Sequence, residues 1–286
     1  MKIGIIGLGL IGGSLGRAIV KKTSHTVYGS DINASVMLKA ELLGAYHHKL
    51  DDASICELDV LIIALTPNAF IEEMNKVVGK LKNGAIIMDI AGNKKKIVEA
   101  MSNLSKSYPE VNFIATHPMA GREFSGVEHS SITMFDRASL LFVPVSADIE
   151  ARARLKKLAL EIGFQTVVNT TVDEHDKIIA YTSQLAHVVS SSFVKSPTAS
   201  EHDGFSAGSF RDLTRVAKLN SSMWTELFID NKDNLVGEID LMIKHLQEYR
   251  DAISMGNESE LFELLQEGNE RKEIIEKATR EWRKNL

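Results

Sequence analysis

Short apolar, β-rich runs recur along the first 168 residues, and helical patterns lie between most of them. This alternation is typical of a parallel, doubly wound sheet with helices on both faces. We therefore predict strands at Lys2–Ile6, Thr26–Ser30, Val60–Leu65, Ala85–Ile90, Val111–Thr116, Ser139–Pro144 and Gln165–Val168. The pattern leaves open whether the last strands run antiparallel.

Beyond about Thr170 the β-rich runs stop, and apolar residues recur at helical spacing. Helices are predicted at Asp173–Phe193, Ser206–Lys218, Met223–Met255 and Glu258–Lys284. The fold class is thus α/β, with a Rossmann-type doubly wound domain over residues 1–168 and an all-helical domain over residues 169–286. Because ligands of open α/β sheets bind at the carboxyl ends of strands, we expect the substrate between the two domains.

A glycine-rich turn joins the first predicted strand to the first helix. Gly7, Gly9 and Gly12 have the spacing G-x-G-x-x-G, which combines a tight turn, an open approach to a pyrophosphate and close helix packing. The start of the helix offers unpaired N–H groups to the phosphates, so Leu10 and Ile11 belong to the predicted cofactor site. A glycine turn of another α/β protein is the alternative.

Asp31 follows the second predicted strand, 24 residues after Gly7. A carboxylate at this place accepts hydrogen bonds from the ribose hydroxyls of a dinucleotide and repels a 2′-phosphate. The sequence therefore predicts NAD rather than NADP as the cofactor.

Composition excludes several other classes. A net charge of −5 in 286 residues gives no electrostatic reason to expect nucleic acid or anionic membrane as a partner. No apolar run approaches the roughly 20 residues of a membrane helix, and a strand starting at Lys2 leaves no room for a signal peptide. We expect a cytoplasmic protein, and we predict no metal site.

His117 directly follows the predicted strand Val111–Thr116. At the carboxyl end of a parallel strand, an imidazole lies near the nicotinamide and can take the proton of a hydroxyl whose carbon is oxidised. A histidine that only bonds to backbone at the strand end is the alternative.

The helical half adds further polar candidates. Asp176, Ser183 and His187 share one face of a largely apolar helix, where polar groups are costly unless they are paired or bind a ligand. A solvated face is the alternative. Arg211 and Arg215 are suited to binding a carboxylate, or they pair with an acid such as Asp212 or Glu226.

Together these motifs resemble the prephenate and arogenate dehydrogenases of tyrosine biosynthesis, the TyrA family. The resemblance covers essentially the whole chain. It depends on the segments GLGLIGGS, HPMAGREFSGVEHS, SQLAH and GSFRDLTRVAKLNSSMW.

The resemblance implies a role for each matching residue. His117 is the catalytic residue, which bonds the ring hydroxyl of the substrate. A second group binds or surrounds the substrate: Glu123 at the mouth of the site, Asp176 in support of the pocket, Ser183 and His187 at polar groups, Arg215 at a carboxylate, and Gly208 and Trp224 reaching the neighbouring subunit of a homodimer. Asp89 is assigned to the cofactor site with the glycine loop and Asp31.

Two positions depart from the family pattern. Relatives commonly carry a serine near the catalytic histidine, in Asp-x-Gly-Ser-x-Lys, whereas the chain has Gly92 there. A hydroxyl partner of His117 is therefore missing unless Asn93 or a water replaces it. Gln184 stands where many relatives carry another histidine.

The resemblance implies NAD-dependent oxidative decarboxylation of prephenate to 4-hydroxyphenylpyruvate and CO2. L-arogenate is the alternative substrate. A β-hydroxyacid dehydrogenase is a second alternative, although its Gly-x-x-x-Asn-x-x-Lys pattern is missing near residues 173–196. A non-catalytic nucleotide-binding regulator is a third, and it would lack the cleft residues. We expect any inhibition by L-tyrosine to be competitive, because no length remains for an appended regulatory domain.

Overall fold

The computed structural model of the chain describes residues 1–122 and 124–284. Its core is an eight-stranded sheet in the order β3-β2-β1-β4-β5-β6-β7-β8. The strands are β1 (Lys2–Ile6), β2 (Thr26–Ser30), β3 (His48–Lys49), β4 (Val60–Ile63), β5 (Ile86–Asp89), β6 (Asn112–Pro118), β7 (Ser139–Ser146) and β8 (Thr166–Asn169). The first six follow the order of dinucleotide-binding sheets, so the predicted fold class is confirmed.

Strands β1 to β6 pair in parallel, whereas β7 runs antiparallel to β6 and parallel to β8. This settles the direction that the sequence pattern left open. Strand β3 was not predicted, because two exposed residues carry no hydrophobic pattern.

Helices cover the sheet in its first part and make up most of the rest. They are α1 (Leu10–Lys22), α2 (Ala34–Leu42), α3 (Asp52–Ile55), α4 (Pro67–Val77), α5 (Lys95–Ser105), α6 (Ile149–Glu161), α7 (Val172–Ile179), α8 (Ala186–Phe193), α9 (Gly208–Thr214), α10 (Ser221–Asp230), α11 (Lys232–Met255) and α12 (Glu258–Lys284). A π-helical segment, Ala180–Leu185, connects α7 to α8.

Alternate residues of the central strands contribute to two apolar clusters. Val60 and Ile62 belong to one cluster and Leu61 and Ile63 to the other, as expected where successive side chains point to opposite faces. A sheet buried on both faces explains why its strands read as continuous apolar runs.

Two helix predictions need correction. The predicted helix Asp173–Phe193 contains the π-helical segment, and the predicted helix Met223–Met255 is divided into α10 and α11 at Asn231. The side chain of Asn231 is buried and donates to the carbonyl of Asp176 and to Oε1 of Gln184. These tertiary hydrogen bonds hold the chain in a turn that helix propensity alone does not indicate.

The chain forms two compact units. The first extends from Met1 to Asn231 and contains the sheet with helices α1 to α10. The second begins at Lys232 and consists of α11 and α12, which are joined by a hydrogen bond from the Tyr249 hydroxyl to the Leu264 carbonyl. The domain boundary predicted at residue 168 stays a prediction.

Long apolar side chains lie more than half exposed on the helices of the second unit. They include Leu241, Leu246, Ile253, Phe262 and Ile274. In the part of the chain that the structure describes, no helix combines the length and apolar character that crossing a membrane requires.

Candidate active site

The glycine loop forms an open cradle at the start of α1. Gly7 has a φ of +90°, and a Cβ there would meet the Ala64 carbonyl oxygen at 2.5 Å. A Cβ on Gly12 would lie 1.9 Å from the Gly7 carbonyl oxygen. A Cβ on Gly9, by contrast, would have no described neighbour within 4 Å beyond the adjacent residues. The first and third glycines therefore permit the close packing, and the second leaves space for a ligand.

Helix α1 begins at Leu10, and among the described side chains none caps its first turn. Leu10 and Ile11 lie partly exposed at this end. A helix start with unpaired N–H groups and an adjacent space is suited to a pyrophosphate. This end of the molecule thus fits the dinucleotide predicted from the sequence.

Asp31 connects the end of β2 to the glycine loop. One carboxylate oxygen accepts the N–H of Leu8 at 2.9 Å, and the other accepts the N–H of Asn33 at 2.9 Å. Each carboxylate oxygen can accept a further hydrogen bond. The position next to the loop is the one from which a carboxylate meets the adenosine ribose.

His117 is the second-last residue of β6 and is half-buried. Its Nδ1 lies 3.0 Å from Nε2 of His175 on α7, whose Nδ1 lies 2.7 Å from Oδ1 of Asp176. Among the described residues none contacts Nε2 of His117 with a hydrogen bond. His117 therefore bonds to another imidazole, and the alternative of a bond to backbone is not observed.

Burial lowers the pKa of His117 to well below its usual value of 6.5, and the positive charge of Lys94 and the proximity of His175 lower it further. A histidine in this setting stays neutral at neutral pH. It can therefore accept a proton.

Asp176 binds the start of α5 as well as His175. Its carboxylate accepts the N–H groups of Lys94 at 2.8 Å and Lys95 at 3.0 Å. Burial raises the pKa of Asp176, but the hydrogen bonds from His175 and from these two N–H groups outweigh burial and hold the pKa below its usual range. The carboxylate thus also stabilises the positive end of the α5 dipole.

Lys94 is completely buried and pairs with Asp89 at the end of β5. Asp89 also accepts the N–H of Thr116 at 2.7 Å and that of Ala91 at 2.8 Å. These donors occupy the carboxylate from within the protein, at the end of the strand that pairs with β6. Contact of Asp89 with NAD stays a prediction.

Asn93 does not replace the missing family serine as a partner of His117. Its amide donates to the Leu227 carbonyl at 2.6 Å, and its Oδ1 accepts from Gln184 at 2.9 Å. A Cβ on Gly92 would meet the side chain of Leu227 at 3.4 Å, which is an ordinary contact. Of the two replacements left open, Asn93 therefore does not bond to His117, whose Nδ1 lies 3.0 Å from Nε2 of His175.

A second cluster surrounds His187 on α8. Its Nδ1 bonds to the Ser183 carbonyl at 2.9 Å, and its ring lies 3.8 Å from the ring of Trp224 between centroids. Burial lowers the pKa of His187, the bond to Ser183 raises it, and the positive charge of Arg215 lowers it. The structure thus brings His187, Ser183, Trp224 and Arg215 together, whereas Asp176 belongs to the group around His117.

The remaining predicted residues lie nearby or outside the description. Gly208 is the first residue of α9, and Arg215 directly follows that helix. Arg211 is exposed, and its Nε lies 3.8 Å from Oδ1 of Asp212. This is the pairing with a nearby acid that the sequence left open as an alternative. Glu123 lies outside the described residues.

Sequence reasoning missed His175 and Lys94. His175 precedes Asp176 in the segment DEHD, in the largely apolar helix that also carries Ile179. Two adjacent ionisable residues in such a helix were the available signal. Lys94 matches the lysine of the family segment Asp-x-Gly-Ser-x-Lys, which was the available signal, although a lysine next to Lys95 and Lys96 is usually solvated.

Protein-family models match nearly the whole chain. The model for the prephenate dehydrogenase nucleotide-binding domain matches residues 15–169, and that for the prephenate dehydrogenase dimerization domain matches residues 171–267. The chain belongs to the prephenate dehydrogenase family.

Individual relatives agree with this assignment. A prephenate dehydrogenase of Lactococcus lactis subsp. cremoris is 31% identical over 283 residues, which are 96% of this chain and 77% of that protein. The structure of an A. aeolicus prephenate dehydrogenase in complex with hydroxyphenyl propionate and NAD+ has a TM-score of 0.84 at 26% identity, with 96% of this chain and 98% of that chain covered. Synechocystis arogenate dehydrogenase has a TM-score of 0.79 at 25% identity, with 96% and 100% covered.

The family assignment explains both the open cradle at the start of α1 and the exposed apolar side chains on the helices of the second unit. The chain is an NAD-dependent oxidoreductase with a nucleotide-binding domain and a dimerization domain. Exposed apolar patches on helices are typical of surfaces that bind another protein.

Proposed function

We propose that the protein oxidises prephenate with NAD to 4-hydroxyphenylpyruvate and CO2. The observation that carries this proposal is the position of a neutral, half-buried His117 at the carboxyl end of β6, in a sheet whose first loop fits a dinucleotide. The L. lactis and A. aeolicus relatives support the choice of substrate.

His117 acts as the base in this proposal. Its Nε2 takes the proton of the ring hydroxyl while the carbon that bears this hydroxyl is oxidised. Loss of the ring carboxylate as CO2 then makes the ring aromatic, and the proton returns to the phenol oxygen. NAD, when bound, supplies the hydride acceptor. A proton shuttle of this type contributes about 10²- to 10⁴-fold to the rate.

The cofactor is held by the glycine cradle and by Asp31. Gly9 leaves room for the pyrophosphate, the N–H groups of Leu10 and Ile11 face it, and Asp31 accepts the ribose hydroxyls. The same carboxylate repels a 2′-phosphate, which gives the preference for NAD.

The carboxylates of prephenate need local cations in a protein with a net charge of −5. Arg215, next to His187 and Trp224, is our candidate for binding one carboxylate. Ser183 and His187 bind polar groups of the substrate, and we place Gly208 and Trp224 where they also reach the site of a neighbouring subunit. Asp176 supports the site through its bond to His175. Glu123 is proposed for the mouth of the site on the resemblance alone.

L-arogenate is a second candidate substrate, favoured by the similarity to Synechocystis arogenate dehydrogenase. The two substrates differ in a keto or an amino group on the side chain. We further propose that L-tyrosine, if it inhibits, does so by competition for the same site, and that the enzyme works in the cytoplasm.

The test is formation of NADH, followed by absorbance, with prephenate or L-arogenate and with NAD or NADP. We expect turnover with prephenate and NAD. Turnover with L-arogenate alone would transfer the proposal to the second candidate. No reduction of either cofactor with either substrate would contradict both.

A further inference from the structure

His117, His175 and Asp176 form a continuous line of hydrogen-bonding groups behind the site, the His–His–Asp chain. The two ring nitrogens that face each other are 3.0 Å apart, and the second imidazole is 2.7 Å from the carboxylate. The side chain of His175 is fully buried, so these protein partners account for both of its nitrogens. The location of each proton can therefore be worked out.

Asp176 is the fixed end of the His–His–Asp chain. A carboxylate only accepts hydrogen bonds, so the proton between Asp176 and His175 belongs to Nδ1 of His175. A neutral imidazole has one donor and one acceptor, and Nε2 of His175 is then the acceptor. Nδ1 of His117 must donate to it, which leaves Nε2 of His117 without a proton.

This assignment is made for a His175 that carries one ring proton, on Nδ1. Asp176 already receives two backbone N–H groups at the start of α5. The buried ammonium of Lys94, paired with Asp89, interacts electrostatically with both Asp176 and His117. A doubly protonated His175 would instead donate from Nε2 to Nδ1 of His117, which would then be bare.

We propose that His175 and Asp176 are positioning residues that hold His117 in the tautomer protonated on Nδ1, so that Nε2 stays free for the substrate hydroxyl. The substrate in this statement rests on the proposed function, whereas the tautomer does not.

Nitrogen NMR of the full-length protein labelled with [¹⁵N]histidine reports the tautomer directly, without substrate. The signals of His117 are identified by their loss in His117→Asn. His47 serves as an internal reference of the opposite kind, because the N–H of Val27 donates to its Nδ1 at 3.0 Å. We expect a protonated Nδ1 and a bare Nε2 for His117 at neutral pH, and the reverse for His47.

A pair of substitutions then tests the link to catalysis. In His175→Gln the amide can still donate to Asp176 and accept from His117, whereas His175→Leu removes both bonds. We expect kcat with prephenate to fall by a factor on the order of 100 in His175→Leu, with KM changed less than about twofold. His175→Gln should keep most of kcat and the wild-type tautomer of His117.

The outcomes separate this inference from the proposed function. A bare Nδ1 on His117 in the wild type overturns the inference, even where His175→Leu does not fold. Equal kcat in His175→Leu and the wild type also overturns it. The expected tautomer in a protein that turns over neither prephenate nor L-arogenate would contradict the proposed function and leave the positioning of His117 supported.

Discussion

Lys94 and Asp89 form an ion pair from which solvent is excluded, with side chains that are 0% and 1% exposed. The pair lies between β5 and the start of α5, and Asp89 also binds the N–H of Thr116, next to His117. The pair thus joins the end of β5 and the start of α5 to the end of β6, next to the proposed base.

Removal of the ammonium should be costly, because it leaves a buried carboxylate without its counter-charge. We expect Lys94→Met to lower the free energy of unfolding by about 3–5 kcal/mol, measured by urea denaturation. Lys82→Met is the matched control, since Lys82 pairs with Asp59 in a more exposed setting, and its cost should stay below about 1 kcal/mol. Equal losses of unfolding free energy in the two variants would show that burial of the Lys94–Asp89 pair does not increase its contribution to stability.

The acid limb in the pH profile of kcat/KM for prephenate should lie below pH 6.5. His117 must be neutral to accept a proton, and burial together with Lys94 and His175 lowers its pKa. We therefore expect kcat/KM for prephenate to stay level as the pH falls to 6.5 and to drop only at lower pH. His187→Gln should keep this limb, because His187 is not the base.

Folding must be followed over the same pH range. Between the lowered pKa of His117 and 6.5, the unfolded chain binds a proton that the folded chain does not, so stability falls as the pH falls. Circular dichroism at each pH separates this loss from the titration of the base. An acid limb above pH 6.5 in a folded protein would contradict a lowered pKa for the catalytic group.

Asp31→Ser should relax the cofactor preference. We expect the ratio of kcat/KM for NADP to that for NAD to rise at least about tenfold, which corresponds to about 1.4 kcal/mol. The variant also loses the bonds to the N–H groups of Leu8 and Asn33. Asp148→Ser is the control, because Asp148 caps α6 through Ala151 and its loss should leave the ratio unchanged. A strict preference for NAD in folded Asp31→Ser would show that another group selects the cofactor.

Arg215→Gln should weaken substrate binding more than turnover. Loss of a charge-assisted hydrogen bond, worth about 1.5–3 kcal/mol, should raise KM for prephenate by about 10- to 100-fold. Arg211→Gln is the control, because Arg211 is exposed beside Asp212, and its KM should change less than about threefold. Steady-state kinetics give KM for prephenate in both variants. A wild-type KM in Arg215→Gln as well as in Arg211→Gln would exclude Arg215 from the substrate site.

Local motifs were predictable from the sequence because their physical reasons are local. The glycine loop and Asp31 directly follow strands, His117 lies at the end of one, and the end of a parallel strand fixes where a ligand binds. The sheet itself was evident because its strands, buried on both faces, read as apolar runs.

Long-range polar contacts were not predictable in the same way. His117 and His175 are 58 positions apart, and Asp176 meets the N–H of Lys94 across 82 positions. Burial of Lys94 opposes the usual exposure of lysine, and the contact with Asp89 offsets its cost. The break at Asn231 likewise depends on tertiary hydrogen bonds to Gln184 and Asp176 and not on a proline or glycine.

The most direct test of the account compares His117→Asn with the wild type in the formation of NADH from prephenate and NAD. A base that acts mainly in the transition state should lower kcat by about 10²- to 10⁴-fold on removal, with KM for prephenate nearly unchanged. Turnover in folded His117→Asn equal to that of the wild type would contradict the assignment of His117 as the catalytic base.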